Sequence, residues 1–274
     1  MAGHTSAPGQ SVTSRVLSIL AAFEDSPASR TLAQITQASG LPQSTAHRLL
    51  GELETWGAVQ RDAQGRYQIG LRLWELGQHA GRKLRDVVRP YLQDLFGLTQ
   101  ETVHFAIRDG AEVLYIDRVY GSRRVPQASR VGGRLPLHAT AVGRAILAFE
   151  QDWVQGAILD GPLDPRTPQT MTDPAELRRE LGKVRARGFA LASEEVRLGS
   201  CSLAVPVFQP DGRIFGGLGI VLQIGRMHQL ERYLPTLLGT AQRLQGGIAH
   251  LPATASSEPK PLPSSGTAAT TGQR

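Results

Sequence analysis

Residues 31–69, TLAQITQASGLPQSTAHRLLGELETWGAVQRDAQGRYQI, decide the fold of the first part of this chain. Leu32, Ile35 and Ala38 put apolar side chains on one face of a short helix. Ser39-Gly40-Leu41-Pro42 then ends it, because Gly tolerates left-handed backbone and Pro suits the first turn of a new helix. From Pro42 onward, Ala46, Leu49, Leu50 and Leu53 recur at i, i+3, i+4, i+7, which buries that face and leaves Gln43, Ser44, His47 and Arg48 outside. Residues 58–61 and 66–69 read as strands around Asp62-Ala63-Gln64-Gly65, where Gly supplies the positive φ of a hairpin. Helix, turn, helix and an arginine-bearing ribbon make a winged helix-turn-helix, a unit that sets a narrow helix with short polar side chains into a duplex major groove. The alternative is a small helical packing unit with no nucleic acid partner. Agreement among turn, polar face and wing favours DNA.

Composition is permissive. With 274 residues, 41 % hydrophobic and 20 % charged, the chain has the makeup of a globular protein of two ordinary domains. No apolar run approaches the ~18 residues that cross a bilayer. The start MAGHTSAPGQ has neither a basic nor an apolar leader region, so a cytoplasmic protein without membrane contact is expected. A single cysteine, Cys201, excludes internal disulfides and thiolate zinc clusters, and the seven His fall at no metal-ligand spacing. The net charge of +6 suits a polyanionic partner without specifying one, since residues 1–83 hold eight Lys/Arg against six Asp/Glu.

Taken in order, residues 1–10 are a disordered lead-in and residues 11–70 the DNA-binding domain, whose first helix carries Val12, Val16, Ile19, Leu20 and Phe23 at helical spacing. In domains of this kind that helix also pairs with its copy, which would match a palindromic operator. Residues 71–89 form a helical linker, with Pro90 a helix start or kink. From Glu101 the period drops to two around Asp109-Gly110, an antiparallel hairpin. A helix follows at 139–149, another at 174–187 behind Asp173, then strands at 189–193, 203–208 and 214–224 and a last helix from Gln229 to about Ile248. Residues 90–250 thus make an α+β domain with helices around an antiparallel sheet, and 251–274 a disordered tail.

Enzymatic chemistry finds little support. Gly216-Gly217-Leu218-Gly219 lacks a following Lys-Ser/Thr and lies inside a strand pattern, where glycines mark close packing. Ser200-Cys201-Ser202 has no nucleophile elbow or matching His, Glu194-Glu195 reads as a solvent-facing pair, and His138 reads as structural. No cofactor is implied. The small residues Ala139-Thr140-Ala141-Val142-Gly143 at a helix start leave backbone N–H groups open to a carboxylate, or are small only to let helix pack on sheet.

Residues 12–248 resemble the isocitrate lyase regulator (IclR) family of bacterial transcription factors. The marks are LAQITQASGLPQSTAHRLLGELETWG, YQIGLRLWELG, GGRLPLHATAVGRAILAF and GFALASEEVRLGSCSLAVPVFQPDGRIFGGLGI, in that order. The resemblance implies a winged helix joined by a helical linker to a GAF-like effector-binding domain, assembled as homodimers or homotetramers, that represses or activates catabolic operons in response to a small acid. Carried over by position, it implies effector contacts at Gln127, Thr140, Ala141, Val142, Ala192, Ser202, Gly219 and Val221. Members that respond to glyoxylate or pyruvate look to place an acidic residue at position 192 and hydroxyls at 219 and 221. All three groups are missing here, at roughly 1–3 kcal/mol per lost bond to a small polar acid. The expected ligand is therefore larger and less polar, such as an aromatic acid, with its carboxylate at residues 140–142. On the DNA side Gln43, Ser44, Thr45, His47 and Arg48 are expected to read bases or backbone, and Arg61 and Arg66 to lie on phosphate. A metabolite-binding enzyme or a protein-interaction adaptor with an accessory winged helix is the alternative.

Overall fold

The computed structural model describes residues 11–23, 29–79, 82–121 and 130–251. The chain divides into two compact units, Met1–Arg82 and Lys83–Arg274. The division falls inside the stretch read from sequence as the linker.

In the first unit, α1 (Val12–Ala21) is capped by Ser11, whose hydroxyl accepts from the Ser14 N–H. Helix α2 (Leu32–Ser39) opens on a reciprocal capping box: the Gln34 N–H donates to the Thr31 hydroxyl and the Thr31 N–H to the Gln34 side chain at 2.8 Å. Gly40 closes it at φ 69°, the left-handed turn expected between the two helices. Helix α3 (Gln43–Trp56) buries Ala46, Leu49 and Leu50 against Ile19, Ile35, Val59 and Tyr67. Strands β1 (Val59–Arg61) and β2 (Tyr67–Ile69) pair antiparallel, with Gly65 at φ 73° in their turn. A further backbone bridge ties Tyr67 to Arg30. Helix α4 (Leu71–His79) follows the wing.

The second unit opens with α5 (Arg82–Thr99), one continuous helix with Pro90 inside it. A six-stranded antiparallel sheet is built from β3 (Thr102–Asp109), β4 (Glu112–Val119), β5 (Arg134–Pro136), β6 (Ala190–Ser193), β7 (Ser200–Phe208) and β8 (Ile214–Gln223), in the spatial order β5-β4-β3-β8-β7-β6. Both faces are covered, so most of the central strands are buried throughout instead of alternating with solvent. On one face Val103, Phe105, Leu203, Val205, Leu218 and Ile220 pack with α5 and with α9 (Leu234–Ile248). The opposite face takes α6 (Ala141–Leu147), α7 (Asp152–Leu159) and α8 (Pro174–Arg187).

Several elements depart from the sequence reading. The last helix does not start at Gln229: a 3-10 run spans Ile224–Tyr233, and the α-helix begins at Leu234, where Pro235 sits in a first turn that needs no N–H from it. Strand β5 and helix α7 carry no sequence expectation, being too short for their periodicity to show. The lead-in 1–10 and Gln127 lie outside the described residues, as does the tail beyond Leu251. Among the described residues, no helix is long and apolar enough to cross a membrane.

Candidate nucleic-acid interface and effector cavity

The amphipathic pattern of α3 places its polar residues as expected. Gln43, Ser44, His47 and Arg48 are exposed and Thr45 half-buried, while Ala46, Leu49 and Leu50 are fully buried. The helix enters through Pro42, whose N-cap position brings no side-chain bond, so the first-turn N–H groups are not consumed by a capping side chain. Arg48 donates to Glu52 one turn on at 2.5 Å, with both side chains 61 % exposed, a pairing weak enough to exchange for another anion. On the wing, Arg61 donates to Glu54 at 3.2 Å and lies 4.7 Å from the centre of the Tyr67 ring. Arg66 donates to Asp62 at 2.9 Å, and the same carboxylate accepts the backbone N–H groups of Gln64 and Arg66. Both arginines are therefore held on the ribbon by their neighbours before any partner arrives.

The second unit encloses a cavity between the α6 start, the turn at residues 194–199 and the sheet face beneath them. Its lining includes Thr140, Ala141, Val142, Ala192, Ser202 and Val221, six of the positions expected from sequence. Two rows of the β-register explain why. Ala192 pairs with Ser202, Ser202 with Val221 and Val221 with Thr102, giving one row across four strands. The adjacent row runs Arg118, His104, Gly219, Ala204. Side chains directly opposite one another share a face, which brings Ala192, Ser202 and Val221 of one row and Arg118 and His104 of the other to the same cavity.

Gly219 reaches the cavity only through His104. A Cβ at Gly219 would collide with the imidazole Nε2, so the glycine makes room for the ring. Two residues earlier, a Cβ at Gly217 would meet the Val142 side chain at 2.6 Å, which is how α6 comes down on the sheet. The glycine-rich run is a packing device, as its strand context implied.

Helix α6 is capped by Thr140, whose hydroxyl accepts from the Gly143 N–H at 2.9 Å. Its Arg144 is 2 % exposed and works as an internal clamp, donating to the His138 carbonyl at 2.7 Å, to the Leu191 carbonyl at 3.2 Å and to the Glu195 carboxylate. The expectation that Glu194 and Glu195 face solvent is corrected here. Glu195 is buried because Arg144 supplies its counter-charge and the Met171 N–H a further bond. Glu194 stands at φ 58°, and its carboxylate accepts the Gly199 N–H at 2.7 Å. His138 keeps a structural role, its ring bonded to the Asp164 carbonyl at 3.2 Å, and burial lowers its pKa. Cys201 points to the other sheet face, where burial pushes its thiol up to about 11, out of range for a nucleophile.

Sequence reasoning missed His104, Tyr115 and Arg118, which also line the cavity. His104 is 4 % exposed, stands edge-on to Tyr115 with ring centres 5.1 Å apart, and among the described residues has no hydrogen-bond partner at either nitrogen. Burial, assisted by the charge of Arg118, pushes its pKa down to about 3, so the ring is neutral. On the opposite face of β4, Asp117 is fully buried and accepts from Arg89 of α5 at 3.1 Å, with Arg85 at 3.5 Å. Among the described residues no cluster of His, Cys, Asp and Glu could hold a metal ion.

Comparison with known proteins bears on both units. Residues 12–63 match the IclR helix-turn-helix domain, and residues 79–245 match the domain described as bacterial transcriptional regulator IclR C-terminal. The chain belongs to the IclR family. Among its relatives, the HTH-type transcriptional regulator XynR of Escherichia coli is 32 % identical over 79 % of this chain and 88 % of its own. The Transcriptional repressor IclR of the same organism is 32 % identical over 80 % of this chain and 81 % of its own. A solved IclR homolog from Microbacterium hydrocarbonoxydans, complexed with 4-hydroxybenzoate, superposes with a TM-score of 0.80 at 29 % identity, covering 87 % of this chain and 99 % of that one. The family's members are named as transcriptional regulators, so the chain is a DNA-binding transcription regulator and not an enzyme.

Proposed function

We propose that this chain is a sequence-specific regulator, repressor or activator, of a catabolic operon, and that a small aromatic acid in the cavity of the second unit changes its affinity for the operator. The observation that carries this reading is the coincidence, in one chain, of an α3 whose polar edge is exposed and a cavity lined at six family effector positions. The walls contributed by Leu135, Ala139, Val142, Val196 and Val221 suit a flat apolar ring, and Arg118 together with the backbone at Ala141 and Val142 suits its carboxylate. The 4-hydroxybenzoate held by the Microbacterium homolog supports an acid of this class. Gln43, Ser44, Thr45, His47 and Arg48 meet the operator, and Arg61 and Arg66 exchange their acidic neighbours for phosphate. Exposed Val12 and Leu17 on α1 suit pairing with a second copy, hence a homodimer or homotetramer on a palindromic site in the cytoplasm.

Fluorescence anisotropy of the full chain on duplexes from its own upstream region, at about 150 mM salt, tests this. Binding is expected to persist at that salt and to shift at least about 5-fold when a benzoate-class acid is added. Changing Gln43 to Ala is expected to alter which duplex is preferred, by about 1–3 kcal/mol at one base position. Absence of duplex binding, or an unchanged preference after substitutions at 43, 44, 47 and 48, would overturn the recognition assignment.

A further inference from the structure

His104 presents an unmet demand inside the cavity. A neutral imidazole has one N–H to donate and one nitrogen to accept with, and among the described residues neither has a protein partner although the ring is 4 % exposed. Buried polar groups left unsatisfied are costly and uncommon, so something that enters the cavity is to be expected as the partner. The sequence also makes a place for the ring: Gly219, directly across from His104 on β8, is the residue whose side chain would evict it. Arg118, on the other side of His104 in the same register row, disfavours a second positive charge there. His104 is thus a neutral, unpaired polar group in a cavity whose other lining combines apolar side chains with the charges of Arg118, Glu194 and Glu195.

We propose that His104, held in place by Gly219, is the specificity residue that reads a hydroxyl group on the effector. The inference rests on the aromatic-acid reading above and deepens it to acids that carry a ring hydroxyl. A hydroxyl is the simplest partner for a neutral imidazole because it both donates and accepts, and so pairs with the nitrogen it meets in either tautomer. A carboxylate only accepts and would engage the N–H alone, so the acid's charged end belongs elsewhere in the cavity. An acid lacking the hydroxyl leaves the imidazole unpaired while displacing any water that served it, and a site built for a hydroxyl rejects such an analogue more strongly than an apolar pocket rejects a missing methylene.

Calorimetric titration of the full chain with benzoate, 3-hydroxybenzoate and 4-hydroxybenzoate tests the assignment. One of the hydroxylated acids is expected to bind about 10- to 100-fold tighter than benzoate. His104→Phe, which keeps the ring's bulk without its nitrogens, should bring the two classes within a few-fold of each other, and His104→Gln should retain the preference. Should the Phe variant fail to fold, ¹⁵N spectra of the wild-type imidazole replace it: the hydroxylated acid moves both nitrogen resonances of His104 and benzoate does not. A preference that survives His104→Phe, or imidazole resonances indifferent to the hydroxyl, overturns the role of His104 while leaving the aromatic-acid reading standing. Binding of none of the three acids at millimolar concentration overturns both.

Discussion

The two units solve opposite problems with the same kinds of side chain. In the first, polar groups sit on the outside of α3 and on the wing, and each arginine of the wing already rests on a neighbouring carboxylate. In the second, polar groups lie inside: Arg144 and Glu195 neutralise each other in the interior, and His104 is left with nothing. Exposed ion pairs cost little to break, so a surface meant to exchange partners can be fully paired at rest. An interior has no such freedom, and a group unpaired there marks where a guest is meant to fit.

That contrast can be broken most sharply at Arg144. Replacing it with Ala removes the cation paired with the Glu195 carboxylate and the two bonds that anchor the His138 and Leu191 carbonyls, and is expected to cost about 3–5 kcal/mol in urea unfolding. A loss under about 1 kcal/mol would mean the interior pair behaves like a surface one. Next in size is the pH response of His104. Its folded pKa of about 3 lies below the ordinary imidazole value of 6.5, so on acidification the unfolded chain takes up the proton first. The stabilisation due to this group is whole above about pH 6.5 and is lost as pH falls toward 3, at up to about 1.4 kcal/mol per pH unit. Urea midpoints measured from pH 7 to pH 4 should fall less steeply for His104→Phe, and equal slopes would contradict a buried neutral ring. The smallest effect belongs to the wing. Arg66→Ala should change stability by less than about 1 kcal/mol, yet weaken all duplexes alike and lower the salt slope of binding by about 0.9. A change in sequence preference instead would move Arg66 from phosphate to a base.

Legibility in the sequence follows the same division. On α3 the 3.6-residue period alone puts Ala46, Leu49 and Leu50 inside and Gln43, Ser44, His47 and Arg48 outside, because one face is buried and the other wet. In the sheet the period of two marks the first hairpin but not what each of its faces meets. Residues 102–109, TVHFAIRD, are buried on both faces, so alternation does not tell which side faces a helix and which a cavity, and His104 passes as one more core residue. Arg144 in AVGRAIL reads as a helix surface charge, since its partner Glu195 lies 51 positions away and on another element. The row of Ala192, Ser202 and Val221 was placed by resemblance to the family, not by pattern, and only the strand register shows why these three belong together.

Strand β4 carries a consequence of its own. Arg118 looks into the cavity, and its neighbour Asp117, one peptide away on the opposite face, holds the two arginines of the opening turns of α5. Adjacent residues of one strand share a planar peptide, so a displacement of one of these residues reaches the other with little give. The helix tethered there is the first element after the boundary between the two units. A guest molecule would need to nudge a single strand, not rearrange the sheet, for its presence to be felt at the root of that helix.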